Sequence, residues 1–305
     1  MSGEVLAPIF FVGMPRSGTT VLFESFASHP ELGWVSNHLD RAPRWPVLSA
    51  VARLTAVDAR FRKAVRPADA RMPLLESLRV GPSEAYRVWE SLCGRKFVYG
   101  YLLGQRAEAG ERLRVRSLIA RVLHHQRRSR FAAKLTGPAR MQFLHSIFDD
   151  AQFVHVIRDG RAVVRSLLRV DFWKDTHRLH TPAWEGGLAQ ESLDEWERYD
   201  RSPLVLAALQ WRTVIDRIRE EAAEVGPDVY VEQRYEDFLA KPWPVVEGID
   251  RGVGLAPSPE QRAYVEERMN VLRPGRSLED GFDPGDWRIL NDVLGERLAE
   301  LGYEV

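Results

Sequence analysis

The chain is short of three things, and each shortage removes a class of protein. Cys93 is the single cysteine among 305 residues, which excludes an internal disulfide and a multi-cysteine metal site and suits a reducing compartment. A lone cysteine of this kind reads as a buried packing residue rather than a nucleophile. Net charge is also missing: Lys+Arg and Asp+Glu both number 43, so whole-molecule attraction to nucleic acid is not expected and any anion site must be local. Long apolar runs are absent too. No stretch approaches the roughly 20 residues that span a bilayer, and Pro15 and Arg16 interrupt the early apolar run that a secretory signal would need. A cytoplasmic protein without a membrane span is the expectation, and 45% hydrophobic residues are enough for a sizeable core.

A fourth absence is more informative. Residues 13 to 20 read GMPRSGTT after the apolar run Ile9-Phe10-Phe11-Val12. Gly13 and Gly18 have the spacing of a phosphate loop, yet Thr19 stands where the phosphate-binding lysine belongs. The cradle itself is intact. Ser17, Gly18, Thr19 and Thr20 offer backbone N–H groups at a helix start, three hydroxyls add donors, and Arg16 supplies positive charge. A triphosphate needs lysine and magnesium to neutralise it, and no strand ends in an aspartate suited to hold the metal. The loop therefore suits a transferred group of lower charge, and a sulfuryl group qualifies.

The periodicity predicts an α/β fold: a P-loop-like central, mostly parallel sheet flanked by helices, in one domain over 1–305. Buried strands are expected at 8–12, 131–136, 152–157 and 229–232, with helices at 19–28, 141–148 and 204–225 and another beyond Tyr235. RDGRAVVRSLL follows the third strand as a second strand-to-helix unit, capped near Asp159 or Gly160. A terminal helix is marked by Asp283 as N-cap, Pro284 behind it and a stripe of Trp287, Leu290, Leu294, Leu298 and Leu301. Residues 40 to 130 read as a proline-punctuated helical insertion packed over the sheet and facing the acceptor. Its segment 112–130 holds seven arginines and an apolar stripe of Leu113, Leu118, Val122 and Leu123, and reads as a solvated basic face.

PRSGTT after one strand, with RDGRAVVRS after another, resembles the sulfotransferases that use 3′-phosphoadenosine 5′-phosphosulfate (PAPS) as donor and release 3′-phosphoadenosine 5′-phosphate (PAP). The arginine in the first loop is similar to the tyrosylprotein-like and bacterial branch. The resemblance implies that Pro15, Arg16, Ser17, Gly18, Thr19 and Thr20 hold the 5′-phosphosulfate and that Arg158 and Ser166 hold the 3′-phosphate. Two helical turns separate Ser166 from Arg158, which lets both reach one group. It further implies a role for Lys134 near the leaving oxygen, for Tyr235 beside the nucleotide, and for Arg273 and Arg276 in a loop over the 3′-phosphate.

The branch's glutamate base, counted from Arg16, falls on Asn37, which cannot take a proton. His38 and Asp40 stand beside it, and we expect the base there, His38 first. The acceptor would be a hydroxyl or amine of a small molecule, glycan, lipid or peptide tyrosine, with Trp173, Trp184 and Trp196 as aromatic wall candidates. His177 and His180 with Asp171 and Asp175 match no ligand spacing and read as a solvated loop, so no metal is expected. The alternatives are a P-loop kinase or other NTPase, opposed by Thr19, and a non-catalytic nucleotide-binding protein, kept open by Asn37.

Overall fold

In the computed structural model, residues 5–57, 79–174, 177–271 and 282–305 are described. The first strand, β1 (Ile9–Gly13), is buried along its whole length. Phe10 and Val12 join one apolar cluster while Ile9 and Phe11 join another, because successive side chains leave a strand on opposite faces. On one side Phe10 stacks on Phe153 at 5.8 Å. On the other, Phe11 meets Phe26 at 4.8 Å, a residue of helix α1 (Thr19–Ala27). A strand covered on both faces needs no polar alternation, which explains the unbroken IFFV run.

The remaining strands are β2 (Leu32–Gly33), β3 (Arg130–Thr136), β4 (Gln152–Ile157) and β5 (Tyr230–Arg234), all parallel, in the order β2-β3-β1-β4-β5. The two-residue β2 escaped the sequence reading because so short a run carries no periodicity. β1 sits centrally, with Phe11 opposite Lys134 and Gly13 opposite Thr136 on β3, and Val12 opposite His155 on β4. The order reverses direction around β1, and a crevice forms beyond the carboxyl ends of strands at such a reversal.

Between the strands run α2 (Asn37–Arg41), α3 (Tyr86–Cys93), α4 (Ala109–Gln126), α5 (Met141–His145), α6 (Gly160–Leu167), α7 (Gln190–Arg198) and α8 (Pro203–Val225), and after β5 come α9 (Tyr235–Ala240), α10 (Pro242–Val253), α11 (Pro259–Val271) and α12 (Pro284–Glu300). Trp89 of α3 lies 6.5 Å from Phe10 of β1 and stacks on Phe97 at 4.8 Å. Cys93 is buried there, and burial first, with Glu111 nearby, pushes its thiol up to about 12. In α4 the buried stripe loses one expected residue and gains two. Leu113 is 69% exposed, and Val115 and Ile119 complete the buried face with Leu118, Val122 and Leu123. The arginines of this run are also less idle than a solvated face implies, since Arg114 donates to the carbonyl of Leu92 and Arg116 to that of Ile147. Asp283 caps α12 by accepting from the N–H groups of Gly285 and Asp286.

Candidate active site

Four chain segments leave the carboxyl ends of parallel strands and meet: residues 14–18 after β1, 137–138 after β3, 158–159 after β4 and Tyr235 after β5. The N–H of Gly137 donates to the carbonyl of Gly13 (3.0 Å), tying the first two together. The first loop is held in an unusual shape. Arg16 has φ 73°, a left-handed conformation that costs an ordinary residue roughly 1–2 kcal/mol and gathers at functional sites. Gly18 has φ 85°, and a methyl group there would lie 2.1 Å from the ring of Tyr235. Glycine is therefore required twice over, by the backbone angle and by the ring.

Gly18 is the N-cap of α1, and no side chain caps that helix. Its first N–H groups and their partial positive charge are left facing the loop. Ser17 is fully buried and its Oγ has no hydrogen-bond partner among the described residues, an arrangement that fits an anion acceptor. Thr19 is buried, whereas Thr20 is exposed and its Oγ1 accepts from Lys134 Nζ at 2.6 Å.

Two guanidinium groups stand over this loop. Arg16 Nε donates to Ser166 Oγ (2.9 Å), and Arg158 Nη1 donates to the carbonyl of Arg16 (3.1 Å). Arg158 also stacks on the ring of Tyr235 at 5.0 Å. Burial, then the charge of Arg158, lowers the pKa of Arg16, and no carboxylate of the described residues pairs with either guanidinium. Arg16, Arg158, Ser166 and Tyr235, widely separated in sequence, thus form one cationic corner. Arg273 and Arg276 lie outside the described residues.

The rest of RDGR has a different use. Asp159 is the N-cap of α6 and accepts from Arg161 N at 2.8 Å. Its Oδ2 pairs with Arg161 Nη2 at 2.7 Å, both side chains being buried. Arg161 continues to the carbonyl of Glu304 and stacks on Trp287 of α12 at 4.8 Å. The second arginine of the motif anchors the terminal helix and leaves Arg158 alone to face the crevice.

The expected base region is built for support. Asn37 Nδ2 donates to the carbonyl of Arg79 (2.9 Å), and its Oδ1 accepts from Gly81 N (3.1 Å). Asp40 accepts from Ser83 Oγ (3.0 Å) and from the N–H groups of Arg87 and Val88 at the start of α3 (3.1 and 3.3 Å). Those bonds use the carboxylate as a helix cap. His38 is half-buried, and its Nε2 is buried without a partner among the described residues.

The strapped segment delivers a residue that the sequence reading missed. Glu84 Oε1 lies 2.9 Å from Lys134 Nζ. Its Oε2 accepts from Thr136 Oγ1 at 2.6 Å and from the hydroxyl of Tyr86. Burial works to raise its pKa, but Lys134 and these hydrogen bonds outweigh it, so the carboxyl stays below its ordinary range and is ionised at neutral pH. A glutamate in PSEAY has no local pattern to mark it. The available signal was the tether, since an amide and a carboxylate at Asn37 and Asp40 are suited to binding a loop.

Of the tryptophans, Trp184 flanks this centre. A methyl group on Gly137 would sit 2.7 Å from its ring, and Trp184 also lines a cavity of about 370 Å³ with Arg95, Tyr99 and Leu193. Trp173 is buried and packs edge-on against Trp184 at 6.0 Å. Trp196 is buried, donating to the carbonyl of Ser202. Asp175 of the rejected metal group lies outside the described residues. No cluster of three or more potential ligands occurs among those described, and none of their helices is long and apolar enough to cross a membrane.

A glycine turn entering an uncapped helix start at the centre of a parallel sheet defines an α/β protein of P-loop-like architecture. The sequence profile of the sulfotransferase family matches residues 8–259, and the chain belongs to that family. Its fold is similar to sulfotransferase STF9 from Mycobacterium avium, with a TM-score of 0.61 and 17% identity, covering 99% of this chain and 79% of that one. Sulfotransferase STF1 from Mycobacterium tuberculosis H37Rv gives a TM-score of 0.50 and 15% identity over 96% of this chain and 77% of that one. A search of curated proteins finds no match.

Proposed function

We propose that the chain transfers the sulfuryl group of PAPS to a hydroxyl or amine of a small molecule or glycan. One observation carries the reading: two guanidinium groups unpaired with any described carboxylate, Arg16 and Arg158, converge with Ser166 beside the uncapped start of α1. Such a corner suits a nucleotide bearing phosphates at two positions, which distinguishes this donor from ATP. In this reading residues 15–20 hold the 5′-phosphosulfate, Arg158 and Ser166 hold the 3′-phosphate, and the ring of Tyr235 lines the nucleotide site. Arg273 and Arg276 are proposed to add to the 3′-phosphate site.

Lys134 takes the place of the missing loop lysine. Its ammonium touches Thr20 from strand β3, so it stabilises negative charge growing on the departing phosphate oxygen. The acceptor approaches past Trp184, whose ring and the cavity beside it suit a flat or sugar-like ring. Membership of the sulfotransferase family argues against the kinase reading. The test is calorimetry on the full chain: PAP should bind at least about tenfold more tightly than ATP with magnesium, the least expected of one charge-assisted contact. Preference for ATP would overturn the proposal.

A further inference from the structure

We propose that Glu84 is the general base of this site, in place of His38 or Asp40, and that it removes the proton of the acceptor hydroxyl or amine. The inference rests on the reading above. Three observations carry it. Glu84 shares Lys134 with Thr20, so one ammonium separates the carboxylate from the first turn of α1, where the transferring group would lie. Thr136 and the Tyr86 hydroxyl both donate to Oε2, which orients the carboxylate and leaves Oε1, facing Lys134, with a free lone pair. The side chain is partly exposed, at 24%.

The alternatives are otherwise engaged or less well aimed. Asp40 is bound to Ser83 and the start of α3, and among the described residues it makes no bond to Lys134 or α1. His38 Nε2 has no partner among the described residues to fix its orientation. Asn37, standing where the branch has its glutamate, grips Arg79 and Gly81 on the segment that brings Glu84 in. The carboxylate has thus moved to a neighbouring segment, and the position it left helps hold that segment.

The acceptor oxygen or nitrogen forms a bond to sulfur while the bond from sulfur to the bridging phosphate oxygen breaks. The electron pair stays on that oxygen, beside Lys134. The acceptor proton passes to Glu84 Oε1 and then to solvent.

The test uses the full chain with PAPS, following sulfate released to water and transfer to 2-naphthol, alongside calorimetry with PAP. E84Q should slow turnover by about 100-fold or more, the range of a lost general base, while PAP affinity stays within about threefold, since the 3′-phosphate contacts are untouched. H38N should leave turnover within about threefold of the parent, as removal of a non-participating group should. A purely structural Glu84 would not respond to a small external carboxylate, so rescue of E84A by formate is the second readout. Parental turnover in E84Q, or its loss in H38N with E84Q active, would overturn the inference. Failure of the parent chain to bind PAP would instead overturn the donor assignment.

Discussion

The two strand-to-helix units of this protein differ at one point, the helix start. After β1 the chain enters α1 through Gly18, and no side chain covers the first N–H groups. After β4 it enters α6 through Asp159, whose carboxylate fills the equivalent place and is itself paired with Arg161. An uncapped start attracts an anion with backbone dipoles; a start capped by aspartate repels one. In the proposed reading, two units of the same topology would therefore bind anions by different means, the first through backbone and the second through the side chains of Arg158 and Ser166.

The largest test of the contrast is structural. Asp159→Asn removes the charge facing buried Arg161, and unfolding by urea should report a loss of about 3 kcal/mol, the lower end for breaking a buried pair. Gly18→Ala attacks the other unit. The new methyl meets the Tyr235 ring, and the displaced backbone should weaken PAP binding about 100-fold by calorimetry, as misplacement by an ångström does. Arg158→Ala should weaken PAP roughly 10- to 100-fold while scarcely changing the 3′-hydroxyl analogue, the cost of charged hydrogen bonds to one phosphate. Equal losses for both ligands would sink the division of labour. Ser166→Ala should have the smallest effect, about fivefold on PAP, the cost of one ordinary hydrogen bond.

Much of the contrast was readable in the residues. IFFVG and QFVHVI are continuous apolar runs, and their lack of alternation announces strands buried on both faces. Gly18 and Arg16 follow from loop chemistry, and Asp159 as a cap follows from its place before a helical stripe. The inner arginine was not legible. Arg161 looks like Arg158 in sequence, and only the packing of α12 turns it inward to Trp287 and Glu304. Glu84 was hidden for the same reason. It acquires meaning through Lys134 and Thr136, some fifty residues away, and no local period encodes a contact of that range. His38 and Asp40 are neighbours of Asn37 in sequence, whereas Glu84 meets Lys134 only through the fold. The exposed Leu113 has a simpler cause, since α4 begins at Ala109 and its phase is set by the whole helix.

Lys134 and Glu84 meet at 2.9 Å but are mounted differently. The lysine belongs to β3, hydrogen-bonded on one side to β1 and on the other to β2, and so to the part of a protein that opens last. The glutamate rides a segment outside the sheet, held by one isolated antiparallel bridge between Ser36 and Pro82 and by the side chains of Asn37 and Asp40. Local opening therefore reaches the glutamate before it reaches the lysine. Under increasing denaturant, turnover should fade at concentrations where PAP is still retained, so the molecule passes through a range in which it holds its nucleotide but has ceased to be a catalyst.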